Sequence, residues 1–594
     1  MSARTKLAGF FSILLEIGKG DRNMITVRDN WKAVFEGDGR RELEETLPAF
    51  LLAARWYGAK AKTIRSTRLA DVLQQQGKDE GSMVVALVEV AFAEGGADTY
   101  ALPITASFGA EADRIARDHP QAVISSVTVI QVQTELHGIL YDAVWHKACA
   151  SSLLTSMGRS AEFRGSSGTV VGSATELFDE AALSSSSASS SVLKGEQSNT
   201  SVKFGDAFMM KLYRRVEPGI NPELEVGRTL TARHFPHSPA LVGALEYVRE
   251  GAEPMTLALT QRFVANDGNA WDYTLAQLSH YLDGVVANKG RGKSSAEKAQ
   301  EQGTQASATS DVLFRYRDAA SLLGRRTGEL HLALGQPSDT ADFAPEICSS
   351  RYAESRVQAM HEAATRALAL LRRRFSSLSD NDRQPATAVL EQEPILLDRL
   401  AALARHPVSA QRIRCHGDYH LGQVLYTGRD FVIIDFEGEP AKPLGERRAK
   451  LLPLADLAGM IRSFHYAAHV ALRSAPSRHP AEPALPDLVP WVEQWYHTAR
   501  KAFLQGYRTV AGEADFSPRS RQEFNRLLDV YVLDKALYEL AYELNNRPDW
   551  VGLPLTGILE LTAAPSGEAM DQDETAREKA RPHSAEPARD EVNP

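Results

Sequence analysis

Cysteine is scarce in this chain: Cys149, Cys348 and Cys415 are all that 594 residues contain, and no two stand at Cys-x-x-Cys spacing. That excludes a disulfide framework and a cysteine-built zinc site as organising devices. Cys415, beside His416, reads as a small buried side chain ahead of a loop, with a thiolate as the other reading. A basic excess is also missing. The 67 Lys and Arg against 76 Asp and Glu leave a net charge of −9, the opposite of a nucleic-acid footprint, so no nucleic-acid partner is expected. Long apolar runs are absent too: Phe10 to Ile17 is interrupted by Ser12 and Glu16, is too short to cross a bilayer and has no small-residue cleavage site behind it. No membrane partner and a cytoplasmic location are therefore expected. What is present, 43% hydrophobic and 24% charged residues, is ordinary for a globular protein, and the length calls for two or three packed units.

The most informative stretch is residues 414 to 437, RCHGDYHLGQVLYTGRDFVIIDFE. His416, Gly417 and Asp418 open it, Gln423 follows Asp418 by five positions, and the apolar run Phe431 to Ile434 delivers Asp435 and Glu437. Phosphoryl transfer needs an acid to take the acceptor hydroxyl proton and oxygen ligands to hold Mg²⁺ against nucleotide phosphates. Kinases place these groups on a loop Asp, an Asn five residues on, and an Asp ending the next strand; Asp418, Gln423 and Asp435 have the same relative places. The turn at Thr427 to Asp430 and a short buried strand would fold Asp435 back beside Asp418. Two other readings exist: a core strand that merely ends in a solvated acid, and a His-x-Asp-x-His metal site at 416, 418 and 420.

Upstream, Gly195 to Ser201 carries small polar residues, Ser198, Asn199 and Thr200 among them, suited to lying over phosphates. Next comes Phe208-Met209-Met210-Lys211-Leu212-Tyr213. A lysine in such an apolar strand either snorkels to solvent or is reserved for phosphates, and its place ahead of the catalytic stretch favours phosphate. A kinase also needs a helix carboxylate to steady that lysine, and the helix opening at residue 223 offers Glu223 and Glu225. Gln261, Phe263 and Val264 end the next strand, where two lobes would join and adenine would lie against backbone groups. His331 reads as a satisfied packing histidine.

Three long motifs carry a family resemblance. They are HGDYHLGQVL at 416 to 425, IDFEGEP at 434 to 440, and PLADLAGMIRSF at 453 to 464. They resemble maltokinases, in particular the form fused behind trehalose synthase. The resemblance implies an α+β, bilobal protein-kinase-like (aminoglycoside phosphotransferase-like) fold with an N-terminal β-rich cap subdomain, and formation of maltose 1-phosphate from maltose and ATP with Mg²⁺. It implies that Asp418 is the catalytic base, that Gln423, Asp435 and Glu437 are metal ligands, that Glu225 partners Lys211 with Glu223 as the alternative, and that His416 and Asp456 brace the catalytic loop. It also implies a sugar site on the helix KALYELAYE at 535 to 543, followed by Arg547-Pro548-x-Trp550, with Lys535, Tyr538, Glu539, Tyr542 and Arg547 on the substrate; spacing alone would read ordinary surface pairs there. Arg55-Trp56-Tyr57 resembles the start of the family's cap. By itself the Trp-Tyr pair reads as an aromatic staple, with a sugar platform as the other reading. The sequence departs from the family at Leu452 and Ala455, where Ser and Arg are common.

The expected organisation is a partly flexible leader (1–40), a cap (41–158), a Ser/Gly-rich flexible loop (159–194), a nucleotide-binding region (195–265), a helical lobe (266–563) with a flexible insertion (288–311), and a disordered tail (564–594). Trehalose synthase is a possible partner. Alternatives to maltose phosphorylation are a kinase for another sugar, such as glucosamine or glucose, and a silent sugar- or nucleotide-binding subunit of a trehalose synthase complex.

Overall fold

Strand Val84–Phe92 shows how this sequence builds its first unit. Val84, Ala86, Val88 and Val90 point into one apolar cluster, while Val85 and Leu87 point into another. That is the period of two of a strand covered on both faces. The computed structural model describes residues 24–75, 82–159, 161–179, 190–193, 198–289, 305–478 and 488–563, and it divides into two units, residues 1–231 with 239–265, and 232–238 with 266–594.

The first unit carries a 14-stranded sheet. Its strands are β1 (Met24–Arg28), β2 (Ile64–Gln75), β3 (Val84–Phe92), β4 (Ala97–Phe108), β5 (Val123–Ile130), β6 (Glu135–Asp142), β7 (Glu162–Arg164), β8 (Thr169–Ala174), β9 (Ser190–Val192), β10 (Asn199–Phe204), β11 (Phe208–Tyr213), β12 (Arg215–Val216), β13 (Leu241–Val248) and β14 (Met255–Arg262). The order is β1-β5-β6-β4-β3-β2-β7-β8-β13-β14-β11-β10-β9, with β12 on β4. Cap strands and nucleotide-side strands thus share one sheet. The β3–β4 hairpin turns at Gly95 and Gly96, with φ of 95° and 78°, a region closed to most side chains. Helix α1 (Gly37–Ala53) lays Leu43, Leu47, Phe50 and Leu51 on one face of the sheet, and α2 (Gly109–Asp118) and α3 (Lys147–Gly158) follow β4 and β6. Helix α4 (Pro222–Ala232) lies between β12 and β13 in sequence. Trp56 is a staple: it packs against Phe50 and Tyr100, and the Arg214 guanidinium lies 4.8 Å from its ring.

Three boundaries differ from expectation. Residues 24–40, expected in the leader, contain β1, which pairs in parallel with β5, and the start of α1; residues 1–23 lie outside the described residues. The Ser/Gly-rich segment contains β7 and β8, with 180–189 outside the described residues. Its order comes from Asp71, whose carboxylate accepts from the N–H groups of Ser166, Ser167 and Gly168 at 2.8, 3.2 and 3.0 Å and from the Tyr247 hydroxyl at 2.9 Å. Composition cannot reveal an acid supplied by a distant strand. The expected insertion is helical from residue 305; residues 290–304, like the 564–594 tail, lie outside the described residues.

The second unit is mainly helical: α5 (Ala270–Lys289), α6 (Gln305–Leu334), α7 (Ser350–Arg374), α8 (Asp380–Glu391), α9 (Glu393–Ala401), α10 (Leu444–Arg447), α11 (Leu454–Arg478), α12 (Val489–Ala511), α13 (Arg521–Asn546) and α14 (Gly552–Ala563). Its core holds Trp495, Phe464 and Phe503, each worth roughly 1.5–3 kcal/mol of burial or more. A two-stranded antiparallel sheet of β15 (Glu346–Ile347) with β16 (Gln411–Arg412) and a hairpin of β17 (Val424–Tyr426) with β18 (Phe431–Ile433) complete it. No helix among the described residues is long and apolar enough to cross a membrane.

Candidate active site

In the first unit, β11 alternates so that Phe208, Met210 and Leu212 enter the core while Lys211 stands on the other face. The Lys211 Nζ donates to Glu223 Oε2 at 2.8 Å, and the Tyr213 hydroxyl donates to the same oxygen at 2.7 Å. Glu223, in the first turn of α4, is 2% exposed and its own N–H is held by Asn221 Oδ1 at 2.8 Å. The expectation of Glu225 is corrected: Glu223 takes the lysine. Both acids lie in the first turn of α4, and Glu223 is the one that stands 2.8 Å from the ammonium.

The phosphate-loop expectation is also revised in part. Ser198 is an exposed residue ahead of β10, but Asn199 and Thr200 are buried strand residues opposite Tyr213 and Leu212. The Thr200 hydroxyl accepts from Arg214 Nε at 2.8 Å, and Arg214 is itself buried against Asp142. Both residues are buried in the sheet and the Thr200 hydroxyl is taken by Arg214, which a loop reading of small polar residues overlooks. Gln261, Phe263 and Val264 are half-buried, and Lys203 Nζ lies 4.0 Å from the Phe263 ring.

In the second unit the catalytic stretch folds as its spacing implies locally. β17 and β18 form an antiparallel hairpin, and the Ile434 N–H donates back to the Gln423 carbonyl at 3.0 Å. That return sets the Gln423 side-chain amide 2.7 Å from Asp435 Oδ2. Asp435 has a φ of 67°, a left-handed conformation that costs a non-glycine residue about 1–2 kcal/mol and recurs at functional sites. A carboxylate oxygen of Asp435 and one of Glu437 lie within 4.8 Å of each other.

Asp456, at the start of α11, is the brace. Its carboxylate accepts from the backbone N–H of His416 at 2.8 Å and of Gly417 at 3.0 Å, and pairs with His331 Nε2 at 3.0 Å. Burial alone would raise its pKa, yet the His331 hydrogen bond and charge, the His416 charge and the Gly417 N–H outweigh burial and hold it low. Gly417, at φ 84°, lets the loop turn over that carboxylate. His331 is satisfied on its other nitrogen by the Tyr507 hydroxyl at 3.1 Å. His416 donates from Nε2 to the Ile434 carbonyl at 2.9 Å, and its Nδ1 accepts from the Asp418 N–H at 3.4 Å. Both ring nitrogens are therefore engaged by backbone, which removes the His-x-Asp-x-His metal reading. Burial pushes the Cys415 thiol well up, which removes the thiolate reading.

Asp418 faces a cavity of about 310 Å³. Lys535 Nζ lies 3.4 Å from Asp418 Oδ1; burial pulls the lysine's pKa down, but Asp418, Glu539 and Glu439 raise it overall and keep it cationic. Glu439 and Lys442 pair at 2.7 Å, and Arg356 and Asp534 at 3.0 Å, in the cavity wall. Tyr352 and Tyr538 add ring faces, and Ala455 lines it where the resembling family often has Arg. Of the expected sugar contacts, Lys535 and Tyr538 line this cavity. Glu539, Tyr542 and Arg547 do not: Glu539 accepts from buried Arg462 at 2.8 Å, Tyr542 is 44% exposed, and Arg547 pairs with Glu543 at 2.6 Å. Glu539, four positions on from Lys535, shares its helix face but lies about 6 Å further along the axis, where Arg462 of α11 donates to it. Arg356, Lys442 and Asp534 were missed by sequence reasoning. Glu439 stood inside the 434–440 motif, but Arg356 and Asp534 lie on long helices with no local signal.

In the second unit an acid beside a cavity, a loop held by a buried carboxylate and two neighbouring carboxylates, and in the first a carboxylate-paired lysine, are residue types that a kinase-type phosphotransferase uses. Residues 190–439 match the profile of the phosphotransferase enzyme family, and residues 50–145 match the maltokinase N-terminal cap domain. Together the two profiles support the maltokinase family, and the fold is aminoglycoside phosphotransferase-like. A glucosamine kinase of Streptacidiphilus jiangxiensis is 25% identical over 373 residues, covering 62% of this chain and 72% of the relative. One of Mycolicibacterium smegmatis is 26% identical over 365 residues, covering 60% and 76%. Among solved structures, a glucosamine kinase aligns with a TM-score of 0.57 at 20% identity, over 90% of this chain and 100% of the other. A glucosamine kinase in complex with glucosamine, ADP and inorganic phosphate aligns with a TM-score of 0.55 at 20% identity, over 90% and 99%.

Proposed function

We propose that this chain is an ATP-dependent sugar kinase that phosphorylates maltose at its anomeric hydroxyl, yielding maltose 1-phosphate and ADP. The observation that carries the reading is the cavity at Asp418, lined by alternating carboxylates, cations and tyrosine rings, in a chain that bears a maltokinase cap. Its volume of about 310 Å³ sits at the small end of ligand pockets, in keeping with a short sugar. In this reading Asp418 orients the acceptor hydroxyl and takes its proton as the oxygen attacks the terminal phosphorus. Lys535 fixes the Asp418 carboxylate, and Lys211, steadied by Glu223, is assigned to the nucleotide phosphates.

Asp435, Glu437 and Gln423 offer hard oxygen donors and would hold Mg²⁺, which when bound supplies charge neutralisation to phosphate oxygens. Gln423 is kept in place for this by the hydrogen bond its amide N–H donates to Asp435 Oδ2. The ADP-bound solved relative supports ATP as donor, and a trehalose-converting enzyme as partner and a cytoplasmic setting belong to the same proposal.

A second acceptor is favoured by a specific observation. Glu439 and Asp534 in the cavity wall suit an amino sugar, and the two relatives above are named glucosamine kinases. The test is a panel of maltose, glucose and glucosamine with Mg-ATP and coupled ADP detection, with the product position read by NMR. Maltose giving the highest kcat/KM, and loss of about 10²–10⁴-fold in Asp418→Asn, is the expected result. Preference for glucosamine overturns the acceptor, undiminished Asp418→Asn activity overturns the base, and no turnover on any sugar favours a silent binding subunit.

A further inference from the structure

His465 and His469, one turn apart on α11, meet Glu560 of α14. His465 Nε2 lies 3.1 Å from Glu560 Oε2 and 3.1 Å from His469 Nε2, and one ligand atom from each residue falls within 4.8 Å of the others. None of these groups belongs to the loop, the cavity or the brace described above.

The arrangement is poorly explained by hydrogen bonding alone. His465 is buried, with its side chain 3% exposed, and its Nδ1 has no partner among the described residues. If the proton sits on Nε2 and goes to Glu560, the His469 nitrogen is left against a hydrogen aimed elsewhere. If it sits on Nδ1, it has no acceptor, and the Nε2 lone pair then faces a carboxylate oxygen. A cation at the point of convergence removes the conflict at the facing atoms: two imidazole lone pairs and one carboxylate oxygen become ligands, and His465 carries its proton on Nδ1. The spacing agrees with this. Zn–N bonds of about 2.0–2.1 Å set neighbouring ligand atoms in a tetrahedron roughly 3.3 Å apart.

We propose that His465, His469 and Glu560 form a binding site for a transition-metal dication of the Zn²⁺ class. Imidazole donors suit Zn²⁺, Co²⁺ or Ni²⁺, whereas Mg²⁺ prefers oxygen. The rings are held in the ligating neutral form. Burial first, then the Arg462 and His497 charges, keep His465 well below its usual range, and burial with the His465 charge brings His469 to about 3. Arg462 is compensated by Glu539 at 2.8 Å, so its charge does not face the site unopposed. Glu560 is 45% exposed and opens the fourth position to water, with His497 of α12 close enough to act on both His465 and Glu560. A bound ion would pin α14 to α11, the helix that also carries Asp456.

The test uses the full chain, stripped with a chelator and dialysed, then titrated with Zn²⁺ by calorimetry in the absence of nucleotide and Mg²⁺. One equivalent per chain is expected, with a rise in Tm and visible Co²⁺ bands of tetrahedral type. Glu560→Gln and His469→Ala alter partly exposed positions; each should bind at least about tenfold more weakly and lose the Tm rise, while circular dichroism and metal-free Tm stay near wild type. No Zn²⁺ uptake by the wild type, or equal uptake by wild type and both variants, overturns the proposal.

Discussion

The Lys211 ammonium and the Glu223 carboxylate stand 2.8 Å apart with side chains 13% and 3% exposed. Such a half-sheltered pair is coupled more strongly than a surface pair, and Tyr213 holds the carboxylate from a second direction. Glu223→Gln should therefore lower kcat/KM by about 100-fold, and Glu225→Gln should leave it near wild type. Steady-state kinetics on the two variants checks this, and equal losses would return the role to Glu225.

Asp456 should matter through the loop it holds and not through contact with substrate. Asp456→Asn turns an amide N–H toward a backbone donor, so kcat should fall with little change in KM, and stability should drop by about 2–4 kcal/mol. The carboxyl's pKa is lowered in the fold. Its contribution is thus fully present above the unfolded value near pH 4 and is lost as pH falls through the lower folded value. Urea unfolding of both proteins across that range should show a flatter acid limb for the variant.

Asp71 makes a parallel case without catalysis. Burial would raise its pKa, but the Tyr247 hydrogen bond and the N–H groups of Ser166 and Val72 outweigh burial and lower it. The sign is the same: stability is gained above the ordinary carboxylate pKa and lost below it. Asp71→Ala leaves four backbone donors and the Tyr247 hydroxyl without this acceptor, and should cost about 3 kcal/mol or more. Hydrogen exchange at Ser166 to Gly168 should accelerate selectively.

Lys535 touches the proposed base and lines the acceptor cavity. Lys535→Met should raise acceptor KM and lower kcat together, whereas Arg547→Met, outside that cavity, should change acceptor KM far less. Kinetics with acceptor as the varied substrate separates the two, and a larger KM effect at Arg547 would move the sugar site along α13.

Local chemistry was readable wherever a few consecutive residues decide it. The Gly95-Gly96 turn, the period of two through β3, the hairpin after Thr427 to Asp430, and the burial of Cys415 and His331 all follow from neighbours in the chain; that hairpin was expected to bring Asp435 beside Asp418, and the contact it makes is with Gln423. Long motifs also pointed to the family that the profiles of residues 50–145 and 190–439 support.

What tertiary structure alone decided is which of several chemically equivalent side chains meets which. Glu223 and Glu225 are both first-turn acids, and only the seating of α4 beside β11 selects one. Thr200 looked like a loop hydroxyl until Arg214 claimed it, and Ser166 to Gly168 looked unstructured until Asp71, some 95 residues earlier, capped it. Arg356, Lys442 and Asp534 reach the acceptor cavity from different segments. Sequence spacing determines geometry over about one turn or one hairpin; beyond that, packing against a partner that is remote in the chain sets the outcome.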